Sequence, residues 1–284
     1  MKLLFITDTH FGGKDLTGYH QQPRYPEQIE ELLFNLDKVV KAEEINLIIH
    51  GGDLTDNATP IEISKCARMY SKYLSCPAIL ALGNHDCLTK ECCENFLQYG
   101  RYFFPTNSCD STLIFDDVRI DVLSINWAPN SKYWKIEDGS QPSLGEEHFT
   151  RLSSGNQMLP RVLVMHSNIC PKAIVKDNAI EYIHQPNNNF DKVASNLIEK
   201  FQPKLILTGH THLNQLDKIN NSIIVGASSF VEMPFEYKVI EITKEKLKVK
   251  TLSLSDNLSF KGEYYSNKQY VQGTTKEREI EVFF

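Results

Sequence analysis

The sequence predicts an α/β fold, on three observations. Short apolar runs alternate with amphipathic segments of helical period, starting from KLLFIT at residues 2–7. Many of those runs end in a turn rich in Gly, Asp, Asn or His rather than in a hairpin. The composition, 41% hydrophobic and 23% charged over 284 residues, supports a full core and gives no mark of disorder. A chain of this length fits one large α/β or α+β domain.

Residues 2–7 read as a buried strand. Residues 26–44 read as a helix with Pro26 in its first turn. Ile29, Leu32, Leu33, Leu36, Val39 and Val40 recur there at helical spacing. Asn46 to Ile49 forms a second short strand that runs into HGGDLTDNAT. Thr59-Pro60-Ile61-Glu62 is a capping box, with Thr59 at N-cap, Pro60 at N1 and Glu62 at N3, for a helix reaching about Leu74. Residues 78–82 form a third strand ending in GNHDC, and Thr89 is the expected cap of the next helix. Residues 112–116 and 118–125 alternate around Asp116-Asp117, the pattern of a hairpin.

Residues 126–142 read as an irregular loop carrying both tryptophans. Ser143-Leu144-Gly145-Glu146 reads as a second capping box, for a helix ending near Ser154. Arg161 to Met165 is a buried strand closing on His166. A long loop, 167–188, a helix near 189–201 and a strand at 204–208 follow. From 213 onward short strands dominate, with Asn220-Asn221 as a turn. No repeat, low-complexity tract or linker interrupts the chain. Residues 1–284 are therefore expected to form one domain, with a C-terminal extension of about 255–284 made of extra strands or a partly ordered tail.

A formal net charge of −6 gives no basic footprint and disfavours nucleic acid as a partner. No apolar run approaches the roughly 18 residues of a membrane span. The short apolar run in MKLLFITDTH is too brief for a signal peptide. The seven cysteines are odd in number and lack a CxxC pair, so reduced thiols and a cytoplasmic location are expected. Thiolate ligation of zinc lacks the usual spacing. Exposed late strands leave a homo-oligomer open.

Comparing the strand ends exposes the chemistry. They read Asp8-Thr9-His10, Gly52-Asp53-Leu54-Thr55-Asp56, Gly83-Asn84-His85-Asp86, His166, and Gly209-His210-Thr211-His212. One Asp after one strand is ordinarily a turn former. Five endings that all supply carboxylate, amide or imidazole donors, at the edge where α/β sheets bind ligands, are not explained that way. His210 and His212 would share one side of an extended backbone. Imidazole with carboxylate and without thiolate suits manganese, iron, zinc, cobalt or nickel. Asp8, His10, Asp53, Asn84, His166, His210 and His212 are too many donors for one tetrahedral ion. Two ions sharing a carboxylate would use them all, and such a pair clamps the attacking and leaving oxygens of a phosphoryl displacement.

The series DTH, GDLTD, GNHD, MHS and GHTH, in that order over residues 8–212, resembles the calcineurin-like metallophosphoesterase superfamily. The resemblance implies a four-layer α/β-β/α sandwich, two packed mixed β-sheets flanked by helices. It implies that Asp8, His10 and His212 hold one divalent or trivalent ion, that Asn84, His166 and His210 hold the other, and that Asp53 bridges them. It further implies in-line attack on phosphorus by a hydroxide bridging the ions. His85 would then stabilise the phosphate or protonate the leaving alkoxide, Asp86 would orient His85 or stabilise its cation, and Asp56 would support or cap.

Asp-x-His and GNHD resemble small phosphodiesterases of the class III cyclic nucleotide and glycerophosphodiester types. His166-Ser167-Asn168 departs from their frequent His-His-Pro, with a proline only at Pro171. The expected substrate is a small-molecule phosphate diester. A phosphomonoesterase, an SbcD-type DNA nuclease and a non-catalytic scaffold are the alternatives. Loops 11–25, 126–142 and 167–188 are expected to surround the site. Lys14, His20 and Arg24 are candidate anion contacts there, and Trp127, Tyr133 and Trp134 are candidate stacking or loop-anchoring residues.

Overall fold

Alternation within the first strand creates the layers. In β1 (Lys2–Ile6), Leu3 and Phe5 enter one apolar cluster and Leu4 and Ile6 another, because successive strand residues point to opposite faces. The computed structural model describes residues 1–14, 21–128, 131–135, 140–170, 172–176 and 179–284. In chain order the next elements are α1 (Ile29–Ala42), β2 (Leu47–His50), α2 (Pro60–Tyr73), β3 (Ala78–Leu80) and α3 (Cys92–Tyr99). Then come β4 (Ser111–Ile114), β5 (Arg119–Leu123), α4 (Glu146–Ser153) and β6 (Arg161–Met165). A small hairpin, β7 (Ala173–Lys176) and β8 (Ala179–Tyr182), precedes α5 (Asn188–Phe201) and β9 (Leu205–Thr208). The chain closes with β10 (Gln215–Ile219), β11 (Ser222–Gly226), β12 (Glu236–Ile242), β13 (Lys246–Ser253) and β14 (Glu279–Phe283).

Two six-stranded mixed sheets result. One has the order β14-β13-β12-β1-β2-β3 and the other β10-β11-β9-β6-β5-β4. Strands β1, β2 and β3 are parallel, as are β5, β6, β9 and β11. Leu3, Phe5 and Ile49 of the first sheet share a core with Val162, Val164, Leu205 and Val225 of the second. The opposite faces pack on helices, with Leu4, Ile6 and Ile48 clustering with Leu32, Leu33 and Leu36 of α1, and Leu163 and Ile206 with Phe190 and Leu197 of α5. The fold is the four-layer α/β-β/α sandwich. No helix among the described residues is long and apolar enough to cross a membrane.

The capping box at Thr59 forms, with the Glu62 N–H donating to Thr59 Oγ1 at 3.2 Å and Glu62 accepting from the Thr59 N–H at 3.1 Å. The second expected box does not form. Ser143 pairs its backbone with Asn126, the helix begins after Gly145, and His148 Nδ1 accepts the Gly145 N–H at 3.0 Å. Thr89 does not cap α3 through its side chain; its carbonyl accepts the Cys92 N–H, and its hydroxyl is buried without a partner among the described residues. The expected loop 167–188 contains the β7–β8 hairpin. The C-terminal extension supplies one strand, β14, paired with β13. Its preceding 3-10 turns brace the segment near residue 22, where Gln22 Nε2 donates to the carbonyls of Tyr265 and Lys268.

Candidate metal centre

All five strand ends open onto one edge of the sandwich, and there the backbone departs from strand geometry. Asp8 (φ 56°), His10 (φ 42°), Asp53 (φ 52°), His210 (φ 69°) and His212 (φ 55°) occupy the left-handed region. Asp and His enter it more readily than most non-glycine residues, and such strain clusters at functional sites. Because β9 ends at Thr208, the strand alternation expected for His210 and His212 does not apply. His212 lies with Asp8 and His10, and His210 lies with Asp53 and His166, with the ligand atoms of each group within 4.8 Å of one another. Gly52 (φ 111°) and Gly83 allow the close approach: a Cβ on the first would strike the His166 ring, and one on the second the Asp53 carboxylate.

Ring nitrogens and carboxylate oxygens converge. His10 Nε2 is 3.2 Å from His212 Nε2, His212 Nε2 is 3.3 Å from Asp8 Oδ1, and His166 Nε2 is 3.2 Å from Asp53 Oδ2. Around an ion with bonds of about 2.1 Å, neighbouring ligands stand roughly 3.0–3.5 Å apart. Each of these three rings is held by its other nitrogen. His10 Nδ1 lies 3.2 Å from Asp56 Oδ1, His212 Nδ1 2.5 Å from Glu232 Oε1, and His166 Nδ1 2.8 Å from the Gly51 carbonyl. That arrangement turns Nε2 toward the centre and is typical of metal-ligating histidine. The Asn84 carbonyl oxygen and His166 Nε2 are buried without a hydrogen-bond partner among the described residues, which is costly unless something else coordinates them. The donor set and these orphaned atoms fit metal ions.

The field at the site favours cations. Burial would raise the Asp8 and Asp53 carboxyls, yet His212 and His166 hold both well below the ordinary carboxylate range. Burial lowers His212, but Glu232 and Asp8 push it up to about 10; Asp53 likewise takes His166 to about 9. His210 is held well below its ordinary value by burial and by His166. Metal ions would take the place of the protons that these carboxylates otherwise recruit.

His85 sits beside the first group. Its N–H donates to Asp53 Oδ1 at 2.8 Å, its Nδ1 is 3.0 Å from the Asp56 carbonyl, and its ring is edge-on to His10 at 4.8 Å. A third grouping of His10, Asp53 and His85 also lies within 4.8 Å. Among the described residues Asp86 makes no hydrogen bond to His85. Its buried carboxylate accepts from the N–H groups of Leu54, Thr55 and Gly83 and from Thr55 Oγ1, tying the second and third strand ends together. In the 3-10 turn His85–Cys87, Asp86 is fully buried whereas the His85 side chain keeps some exposure. Burial and the nearby Asp53 push Asp86 up to about 6. Asp56 reaches His10, His85 and Arg24, so it supports the site.

Arg24 is buried and spent on Asp56 and the Lys14 carbonyl rather than turned to an anion. Lys14 is exposed, and His20 and Pro171 lie outside the described residues. Trp127 is buried with its ring 5.4 Å from His210, and Trp134 lies 5.2 Å from His85. Trp127 and Tyr133 line a cavity of about 1020 Å³ with Lys90, Lys135 and Asn187. All seven cysteines are free thiols, and among the described residues no three of them gather as a metal site.

Two residues here escape sequence reading. Glu232 anchors His212 and accepts the backbone N–H groups of Gln21 and Gln22 at 3.1 and 2.8 Å. The only sequence signal is an acid inside the apolar run FVEMPF. His184, just beyond the β7–β8 hairpin, has its ring 4.8 Å from that of His210, and crowding by the protein together with His212 lowers it to about 4. No motif announces it.

A family model described as calcineurin-like phosphoesterase matches residues 1–214, and the chain belongs to that family. It is accordingly a metal-dependent phosphoesterase. No curated protein matches it. Among solved structures it is similar to a dimetal phosphatase from Danio rerio, with TM-score 0.66 and 14% identity over 89% of this chain and 96% of that one. It is also similar to the purple acid phosphatase PPD1 from yellow lupin seeds, with TM-score 0.60 and 13% identity over 95% of this chain and 55% of that one. A third is the protein TT1561 of Thermus thermophilus, with TM-score 0.55 and 11% identity over 89% and 98%. At these identities the likeness is one of fold.

Proposed function

We propose that the protein is a binuclear phosphodiesterase acting on a small organic diester, of the cyclic nucleotide or glycerophosphodiester type. The sharing of one carboxylate carries this reading: Asp53 groups with His10 on one side and with His166 and His210 on the other. Asp8, His10 and His212 would hold one ion, Asn84, His166 and His210 the other, and Asp53 would serve both. Bound there, the ions would supply Lewis acidity and lower the pKa of water.

The chain's residues do the rest. Asp56, Glu232 and the Gly51 carbonyl fix the three imidazoles before substrate arrives. His85, fixed by its backbone N–H and Nδ1 beside His10 and Asp53, steadies a phosphoryl oxygen or protonates the leaving alkoxide. Engagement of Arg24 with Asp56 favours a diester, since a monoester dianion gains most from an added cation. The cavity beside Trp127 has room for an organic arm of the substrate.

The test is hydrolysis of bis(p-nitrophenyl) phosphate by chelator-stripped protein reloaded with manganese, compared with p-nitrophenyl phosphate. Faster turnover of the diester is expected. A much faster monoester would reverse the preference, and no hydrolysis with any of several divalent metals would remove the enzymatic reading.

A further inference from the structure

The geometry points to His184 as a binding residue for the phosphoryl group, supplied by the β7–β8 hairpin and not by any of the five strand ends. This inference rests on the phosphoesterase reading above. His184 follows β8 by two residues and adopts φ 49°, a left-handed turn that brings its ring 4.8 Å from the ring of His210 at an interplanar angle of 56°. Ligand-bearing residues feel it electrostatically: Asp8, Asp53, His166 and His212 all act on it.

Three features separate His184 from the ligands. It is crowded by the cluster on one side but exposed to solvent on the other, whereas Asp8, His10, Asp53, Asn84, His166 and His212 are buried. It joins none of the groups whose donor atoms converge within 4.8 Å. Its ring has no hydrogen-bond partner among the described residues, while three of the ligand histidines are anchored through Nδ1. An imidazole above a dense ligand cluster, open to solvent and uncommitted, offers an N–H to an anion seated on that cluster. The segment directly after His166 offers nothing comparable, because Ser167 is buried and its hydroxyl is turned to the Asn168 carbonyl at 3.4 Å.

The experiment uses manganese-loaded full-length protein and inorganic phosphate as the probe, with binding measured by calorimetry and metal content by mass spectrometry. His184→Ala is expected to retain the metal content of the unaltered protein and to bind phosphate ~10–100-fold more weakly, the scale of a lost hydrogen bond to a charged group. His184→Gln, which restores an N–H donor, should recover part of that loss and lower KM for bis(p-nitrophenyl) phosphate relative to the alanine variant. Unchanged phosphate affinity in His184→Ala, with hydrolysis intact in the unaltered protein, overturns this inference alone. Loss of metal from His184→Ala overturns it in favour of a ligand role. If unaltered protein neither binds phosphate nor hydrolyses the diester, the phosphoesterase reading falls and this one falls with it.

Discussion

Replacing Asp86 by Ala tests whether this carboxylate serves the chemistry or the scaffold. It accepts three backbone N–H groups, from Leu54 at 3.1 Å, Thr55 at 3.0 Å and Gly83 at 3.0 Å, plus the Thr55 hydroxyl at 3.1 Å, and it is fully buried. Truncation strands three buried donors at ~1–3 kcal/mol each, or ~3–9 kcal/mol. Part of this is offset. The Asp86 carboxyl stands at about 6 instead of 3.8, so removing it at pH 7 relieves a charge buried at a cost of ~3 kcal/mol, taking 1.36 kcal/mol per unit. The difference, ~0–6 kcal/mol and centred near ~3 kcal/mol, is a large share of the ~5–15 kcal/mol that holds a domain together. Urea denaturation of metal-stripped protein at pH 7 measures it. Asp86→Asn should fall between, because an amide accepts at one end only while donors approach both oxygens. A variant with unaltered stability and a turnover as low as that of His85→Ala would refute the scaffold role and return Asp86 to orienting His85.

Glu232→Gln leaves one acceptor for donors at both ends, His212 Nδ1 and the backbone of Gln21 and Gln22. It should weaken the ion at Asp8, His10 and His212 by ~10–100-fold while sparing the other, as read by metal-competition titration; equal weakening of both would contradict the assignment. Lys238 is buried with Nζ bonded to Asn214 and Thr251, and burial lowers its pKa to about 7. The folded chain therefore binds fewer protons than the unfolded one between about pH 7 and 10, so stability gains from this group as pH rises through that window. Lys238→Met should lose that gain, and an identical change in urea midpoint between pH 7 and pH 10 in both proteins would count against it.

The donors at the strand ends are legible in the sequence because residue type and position agree. A run such as LIIH or RVLVM can only be interior, and the Asp or His that follows must then stand at a sheet edge. What surrounds them is less legible. Asp86 adjoins His85 in sequence, yet a 3-10 turn sends the two side chains to different partners, and adjacency carries no information about that. Glu232 reaches His212 across a loop, so no local spacing links them. Ser143 fits the capping pattern, but pairing with Asn126 takes its backbone out of the helix start. The strands β7 and β8 are four residues each, too short for their alternation to stand out from the loop around them.

Positive φ at Asp8, His10, Asp53, His210 and His212 means that, under the proposed ligand assignment, each of these positions answers to two requirements at once, a donor atom and a left-handed backbone. Knockouts here would then not report metal loss alone. A β-branched replacement removes the donor and also opposes the turn, so its phenotype mixes chemistry with misplacement of the neighbouring donors. Asparagine or glycine, at home in that conformation, isolates the chemical part. The same asymmetry would shape neutral drift: a descendant that had abandoned catalysis could fill these sites with Asn or Gly and keep its loops, whereas Val or Ile would cost it the rim of the sandwich as well.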